Sequence, residues 1–308
     1  MKLIREYQRL VHEPNRYVAT IGNFDGLHQG HMSMLKKLKE VAASYELPTC
    51  VVMFEPLPQE FFSPYALPRL MKLRDKLAVF QDAGIDRILC LKFNKRLANF
   101  SANAFIDSIL ISALKIKALI VGDDFRFGYQ RQGDVSTLEK AGIKHHFEVY
   151  QIGTIYQNYK RISSTQIRQA LKSGDLSLAS RLLGRYFTFS GRVIYGNQLG
   201  RTLGFPTANF AISESFPLRG VYLARIEGLN EKYYALVNIG VRPTINGNKL
   251  ILEAHILNFT GSIYGQRLTL SFLYKLRDEK QFFDLETLKQ QIAKDKDLAE
   301  QLLTSIVD

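Results

Sequence analysis

The sequence predicts two domains of different class: an α/β domain built on a parallel sheet over residues 1–185, and an antiparallel β-barrel over residues 186–308. Three observations lead there. Short apolar runs alternate with helix-like segments through the first half. Beyond "DLSLASRLLGR" (175–185) strands succeed one another with no helical pattern between them. The chain has 308 residues, 46% hydrophobic and 23% charged, which is enough for two ordinary cores.

In the first half the strand-like runs are "YVATIG" (17–22), "CVVMFE" (50–55), "RILCLKF" (87–93) and "KALIVGDD" (117–124). Helical patterns over 31–45, 70–83 and 102–114 separate them, which argues for βαβ units and a sheet covered on both faces. Ligands of such sheets bind beyond the carboxyl ends of the strands, where "TIGNFDG" and "IVGDDFRFG" both fall. In the second half the runs are "YFTFSGRVI", "GVYLARIEG", "KYYALVNIG", "LILEAHILN" and "RLTLSFLYKL", punctuated by Gly, Pro and Asn. Closely spaced strands of this kind suggest a closed antiparallel barrel. A last helix, "DLETLKQQIAKD", starts from the N-cap residue Asp284.

Charge and composition narrow the partners. The net charge is +12, from 41 Lys and Arg against 29 Asp and Glu, but it is spread along the chain with no dense basic run. A solvated basic surface is therefore expected, with no nucleic acid as partner. No apolar run approaches the ~20 residues that cross a bilayer, and the N-terminus lacks the apolar core of a secretory signal. Cys50 and Cys90 lie in β-like runs and read as buried thiols, which fits a reducing cytoplasm. The expected partners are small molecules, without a membrane, and the chain is expected to act as a monomer or weak oligomer.

The stretch "GNFDGLHQGH" (22–31) joins a strand to a helix. Gly22 and Gly26 allow a sharp turn, with Asn23, Phe24 and Asp25 between them. Gly30 lets an anion approach the free N–H groups of the helix start. His28 and His31 are three residues apart, so on a first helical turn they share a face and can donate to charge building on a phosphate. The spacing fits neither G-x-G-x-x-G nor G-x-x-x-x-G-K-[ST], and H-x-x-H without an intervening Glu is a poor zinc site. In "RISSTQIRQAL" (161–171), Ser163 or Ser164 can cap a helix whose N–H groups and hydroxyls, Thr165 included, hold phosphate oxygens. Arg168 lies one turn in, with paired donors for phosphate.

In the second half, "YGNQLGRTLGFPTANF" (195–210) reads as a glycine loop, with Gly200, Arg201 and Gly204, able to wrap phosphates. Thr207 and Asn209 then offer hard oxygen ligands on one face, suited to Mg²⁺. Alternation in "LILEAHIL" (250–257) puts Ile251, Glu253, His255 and Leu257 on one face, which the pattern alone leaves either solvated or lining a site.

These stretches carry a family resemblance. "GNFDGLHQGH" resembles the flavin branch of the H-x-G-H nucleotidyltransferases, G-x-F-D-G-x-H-x-G-H, and "RISSTQIRQAL" resembles the phosphate-gripping helix start of that superfamily. "VGDDFRFG" (121–128) resembles its V-G-x-D-F-R-F-G segment, which implies nucleotide or flavin contacts from Asp124, Phe125 and Phe127. "FEPLP" (54–58) departs from it, with Leu57 where the family usually carries histidine. "GRTLGFPTAN" resembles the signature of riboflavin kinases, whose catalytic base maps to Glu253. "VNIGVRPT" (237–244) and "LRDEKQF" (276–282) resemble pocket-lining segments of those kinases, which implies flavin contacts from Asn238 and Arg277.

The chain is thus similar to bacterial bifunctional riboflavin kinase/FMN adenylyltransferases. The resemblance implies phosphorylation of riboflavin to FMN with Mg²⁺ and ATP in the barrel, then adenylylation of FMN to FAD with release of pyrophosphate in the α/β domain. His28 and His31 would stabilise the second transition state and Arg168 the departing pyrophosphate. An alternative is a nucleotidyltransferase for another phosphorylated alcohol with a regulatory barrel.

Overall fold

The computed structural model describes residues 1–63, 67–157, 160–196, 205–244 and 247–307. Its contacts divide the chain into two compact units, Met1–Leu67 with Met71–Ser164, and Pro68–Leu70 with Thr165–Asp308.

The first unit carries strands β1 (Lys2–Ile4), β2 (Val18–Ile21), β3 (Thr49–Glu55), β4 (Arg87–Lys92), β5 (Ala118–Gly122) and β6 (Glu148–Ile152). They form one sheet in the order β1-β4-β3-β2-β5-β6, and every pairing is parallel. The main helices are α1 (Gln29–Ser44), α2 (Pro58–Phe62) and α3 (Leu73–Asp82). Two single turns follow, α4 (Lys95–Ala98) and α5 (Ala102–Phe105), the second running into a π-helical stretch, Ile106–Ala113, before α6 (Val135–His145).

Period-two alternation sends each strand's side chains to opposite faces. Val18, Val51, Ile88 and Ile120 pack with Leu35, Leu38 and Phe80 on one side. Ala19, Val52, Leu89 and Leu119 pack with Ile109, Leu110 and Leu138 on the other. Each such aliphatic group, fully buried, stabilises by about 1.5–3 kcal/mol, which is why the runs read as continuously apolar. Strands β3 and β4 extend the sheet on one side of β2, and β5 and β6 on the other. The crevice for a ligand therefore opens where the order reverses, at the carboxyl ends of β2 and β5.

A short hairpin, β7 (Tyr156–Gln157) with β8 (Lys160–Arg161), precedes α7 (Ser164–Ser173) and α8 (Leu176–Leu183). The barrel then runs through β9 (Phe187–Ile194), β10 (Ala208–Phe210), β11 (Gly220–Glu227), β12 (Tyr233–Thr244), β13 (Gly247–Ile256) and β14 (Arg267–Arg277). It closes in the order β10-β13-β12-β11-β14-β9 with all pairs antiparallel. Aromatic rings fill it: Phe187 stacks on Phe272 at 5.9 Å, and Tyr222 meets Phe272 edge-on at 5.6 Å.

Helix α9 (Leu285–Val307) starts as its sequence predicts, with the Asp284 carboxylate accepting the Thr287 N–H at 2.7 Å. Asp295 of α9 takes Arg277 as a bidentate partner, at 2.9 Å from Nε and 2.8 Å from Nη2. The two side chains are only 15% and 6% exposed. Removing the carboxylate would leave a buried guanidinium uncompensated, so Asp295→Ala is expected to destabilise the barrel unit by about 3 kcal/mol in denaturant melts.

Candidate active sites

In the first unit the glycine turn is built from unusual backbone. Phe24, Gly26 and Leu27 have φ of 48°, 86° and 42°, a left-handed run that only glycine adopts at little strain. The turn delivers the chain to α1 with His28 as its N-cap, whose Nδ1 accepts the His31 N–H at 3.3 Å. Because Nδ1 accepts, the neutral imidazole carries its proton on Nε2. The two imidazoles stack, with centroids 3.7 Å apart and planes 14° from parallel. Gly30 makes room for this: a Cβ there would lie 3.2 Å from the His28 ring. The Ser164 hydroxyl donates to the Asp25 carbonyl at 2.8 Å, so the start of the second motif is fastened to the turn of the first.

Other residues singled out from the sequence are placed as follows. Asp124 forms an ion pair with Arg161, whose guanidinium is held above its usual range chiefly by that hydrogen bond. Phe125 is half-buried and stacks on Phe127 at 5.5 Å, and Phe127 itself belongs to the core beneath. Arg168 Nε donates to the Pro68 carbonyl at 2.7 Å within the second unit. Leu57 is buried at the N-cap of α2, and its backbone N–H donates to Glu60 at 3.0 Å.

The structure also gathers what the sequence reading missed. Phe61 and Phe62 of α2, Phe54 at the end of β3 and Phe93 just past β4 form an aromatic quartet, with Phe93 5.8, 5.4 and 5.7 Å from Phe54, Phe61 and Phe62. Phe62 is 68% exposed at the carboxyl side of the sheet, an apolar face open to a flat ring. These residues lie far apart in sequence, and only the doublet in "PQEFF" hints at them.

In the second unit the register of three neighbouring strands aligns the polar residues. Glu253 on β13 lies directly opposite Asn209 on β10 and opposite Asn238 on β12. Residues in register share a face, so the carboxylate stands between two amides. Glu253 and Asn238 border a cavity of about 370 Å³ lined also by Thr207, His255, Arg277 and Phe282. Leu252, Ala254 and Ile256 point the other way into the barrel core, so the face left open by the sequence pattern is that of a pocket. The Asn209 amide nitrogen lies 3.5 Å from the Thr207 carbonyl oxygen. Arg277, through its bidentate pair with Asp295 and a 3.0 Å bond from Nη1 to the Asp278 carbonyl, forms a fixed wall of the cavity. Gly200, Arg201 and Gly204 lie outside the described residues.

His255, on the same face as Glu253, has its Nδ1 3.0 Å from the Pro206 carbonyl and so carries its proton there, tethering the segment that bears Thr207. Burial pushes the imidazole below its ordinary value, against the opposing pull of that hydrogen bond. The unfolded chain then binds a proton at a pH where the folded barrel does not. Stability is expected to be full above about pH 6.5 and to fall as pH drops through that value. Thermal melts of a His255→Gln variant should lose this part of the pH dependence.

A family model described as FAD synthetase matches residues 10–166, and one described as riboflavin kinase matches residues 183–303. The chain is 46% identical to a bifunctional riboflavin kinase/FMN adenylyltransferase of Pseudomonas fluorescens, over 96% of each chain. It is 44% identical to one of Escherichia coli (strain K12), again over 96% of each. A crystal structure from Streptococcus pneumoniae, named a macrolide-efflux protein, is similar over 97% of this chain and 98% of that one, with a TM-score of 0.85 and 27% identity. Among the described residues here, no helix is long and apolar enough to cross a membrane. Two family models in the expected order, and relatives matched nearly end to end, establish that the chain belongs to the bifunctional riboflavin kinase/FMN adenylyltransferase family.

Proposed function

We propose that this chain makes flavin cofactors in two ATP-dependent steps, the first in the barrel domain (186–308) and the second in the α/β domain (1–185). The observation that carries the reading is the row Asn209–Glu253–Asn238, whose Glu253 and Asn238 line the barrel cavity and whose register sets the carboxylate beside hard oxygen donors. In the first step Glu253 accepts the proton of the riboflavin ribityl 5′-hydroxyl. That oxygen bonds to the γ-phosphorus of ATP as the bond to the β-bridging oxygen breaks, giving FMN and ADP. Asn238 and the Arg277 wall border the flavin, and the glycine loop with Gly200, Arg201 and Gly204 is assigned to the ATP phosphates.

Among the described residues no three His, Cys, Asp or Glu side chains cluster as a metal site. Mg²⁺ needs no such cluster, since it keeps several waters and takes few protein oxygens. The Thr207 hydroxyl and Asn209 amide oxygen fit it, and when bound with ATP it neutralises charge on the phosphate oxygens.

In the second step an FMN phosphate oxygen bonds to the α-phosphorus of ATP and pyrophosphate departs, giving FAD. The stacked imidazoles of His28 and His31, with the helix start at Gly30, are assigned to the charge that builds on the α-phosphate. Ser163 and Thr165 are assigned to phosphate oxygens and Arg168 to the pyrophosphate, on their motif. Asp124, Phe125 and the aromatic quartet offer the flavin ring a partly apolar bed, with Phe127 supporting Phe125 from below. Two buried free thiols, Cys50 and Cys90, support work in a reducing cytoplasm, as a monomer or weak oligomer.

Incubation of the purified chain with riboflavin and excess Mg·ATP, followed by separation of the flavins, should show FMN rising first and FAD later, with one pyrophosphate per FAD. EDTA should stop FMN formation. A chain that leaves riboflavin and FMN untouched but adenylylates another phosphorylated alcohol would overturn the reading.

A further inference from the structure

In sequence, Lys76 looks like an ordinary surface residue of an amphipathic helix, "LRDKLAVFQD". The fold buries it completely, at 0% exposure. Lysine stems often lie along apolar surface while the nitrogen stays in water, so total burial requires a partner for the nitrogen itself. That partner includes the Asn23 carbonyl oxygen, which accepts from Nζ at 2.9 Å.

Asn23 belongs to the turn with left-handed residues. Phe24 and Leu27, with φ of 48° and 42°, lie in the left-handed region that strains any side chain, so the turn persists only where its surroundings over-determine it. Three ties do so from distant parts of the same unit. Lys76 holds the Asn23 carbonyl, the Met71 N–H donates to the Asp25 carboxylate at 3.2 Å, and Ser164 holds the Asp25 carbonyl at 2.8 Å. Of the two ties on Asp25, Ser164 acts on the peptide between Asp25 and Gly26, two peptides later, and Met71 on the side chain; Lys76 acts on the peptide between Asn23 and Phe24. That peptide is trans, so its C=O and N–H point in opposite directions. With the carbonyl drawn inward onto a fully buried amine, the Phe24 N–H is turned outward from the core.

We infer that Lys76 is a positioning residue for adenylyl transfer: it touches no substrate, but holds the Asn23–Phe24 peptide so that its N–H meets a phosphate oxygen of the nucleotide. This rests on the reading of the glycine turn as the ATP phosphate site. Lys76→Met keeps the length and removes the donor. Under single turnover, with enzyme in excess over FMN, its rate constant for FAD formation is expected to fall about 30-fold, somewhat less than the loss of a whole oxyanion donor. Affinity for FMN should stay within about twofold, and FMN formation from riboflavin should match wild type, since neither uses the turn peptide. In Lys76→Ala, added ethylammonium should restore the rate in a saturable way.

A wild-type rate constant in Lys76→Met overturns the inference. So does a loss confined to the amplitude, which would mean fewer folded molecules and a merely structural lysine. If the methionine variant does not fold, Lys76→Gln, whose shorter side chain misplaces the donor, is measured in the same way, and a wild-type rate constant there has the same force. A His28→Asn variant run alongside separates the two readings. If it makes FAD at the wild-type rate, the phosphate reading of the turn fails. If it is slow while Lys76→Met is not, only the role of Lys76 falls.

Discussion

Glu253→Gln is expected to lower FMN formation from riboflavin by about a thousandfold, within the range that a lost general base produces. The substitution keeps the size and the hydrogen-bonding edge of the side chain and removes only its ability to take a proton. The neighbouring amides on β10 and β12 stay opposite it in register, so the cavity keeps its shape. FMN supplied directly should still become FAD at the wild-type rate, because that step is assigned to the α/β domain. Chromatography of the flavins reads both numbers from one sample. FMN formation within about tenfold of wild type would show that the proton leaves by another route.

The second large effect is expected from the stacked histidines. Asparagine is among the best N-cap residues, so His28→Asn retains the start of α1 while deleting the imidazole. FAD formation should fall by about a hundredfold to a thousandfold, as when one donor of an oxyanion site is removed. From riboflavin the variant should pile up FMN with only traces of FAD. His31→Asn should act in the same direction, since the His31 ring lies 3.7 Å from that of His28. A variant that slows both steps equally would refute the assignment of one reaction to each domain.

Much of the architecture could be read from local pattern. The runs at 17–22, 50–55, 87–93 and 117–124 became β2 to β5, and the segment after residue 185 became the barrel. Five strands are not legible in the sequence. β1 and β10 have three residues each, β7 and β8 two, and β6, "EVYQI", has one end polar enough to pass for a loop. Short strands hold only because neighbours pair with them, and no periodicity can build up over three positions. The spacing puts Thr207 and Asn209 on one face if the chain is extended, and only strand pairing makes 208–210 into β10, with Asn209 opposite Glu253.

The chemistry divides in the same way. Residue types and short spacings are enough to single out His28 and His31 and the Thr207–Asn209 pair, because each depends on neighbours within one turn or two strand positions, whereas Glu253 is marked only by the resemblance to riboflavin kinases. What tertiary structure alone decided was which of these stand side by side and what lies beneath them. The alignment of Glu253 between two asparagines is a matter of strand register, the aromatic quartet joins residues 54, 61, 62 and 93, and the burial of Lys76 follows from where α3 docks. Local sequence sets the period of an element and the face it hides; pairing partners and depth of burial arise from contacts between segments distant in the chain, up to the 139 residues between Asp25 and Ser164, and those exist only once the chain has closed on itself.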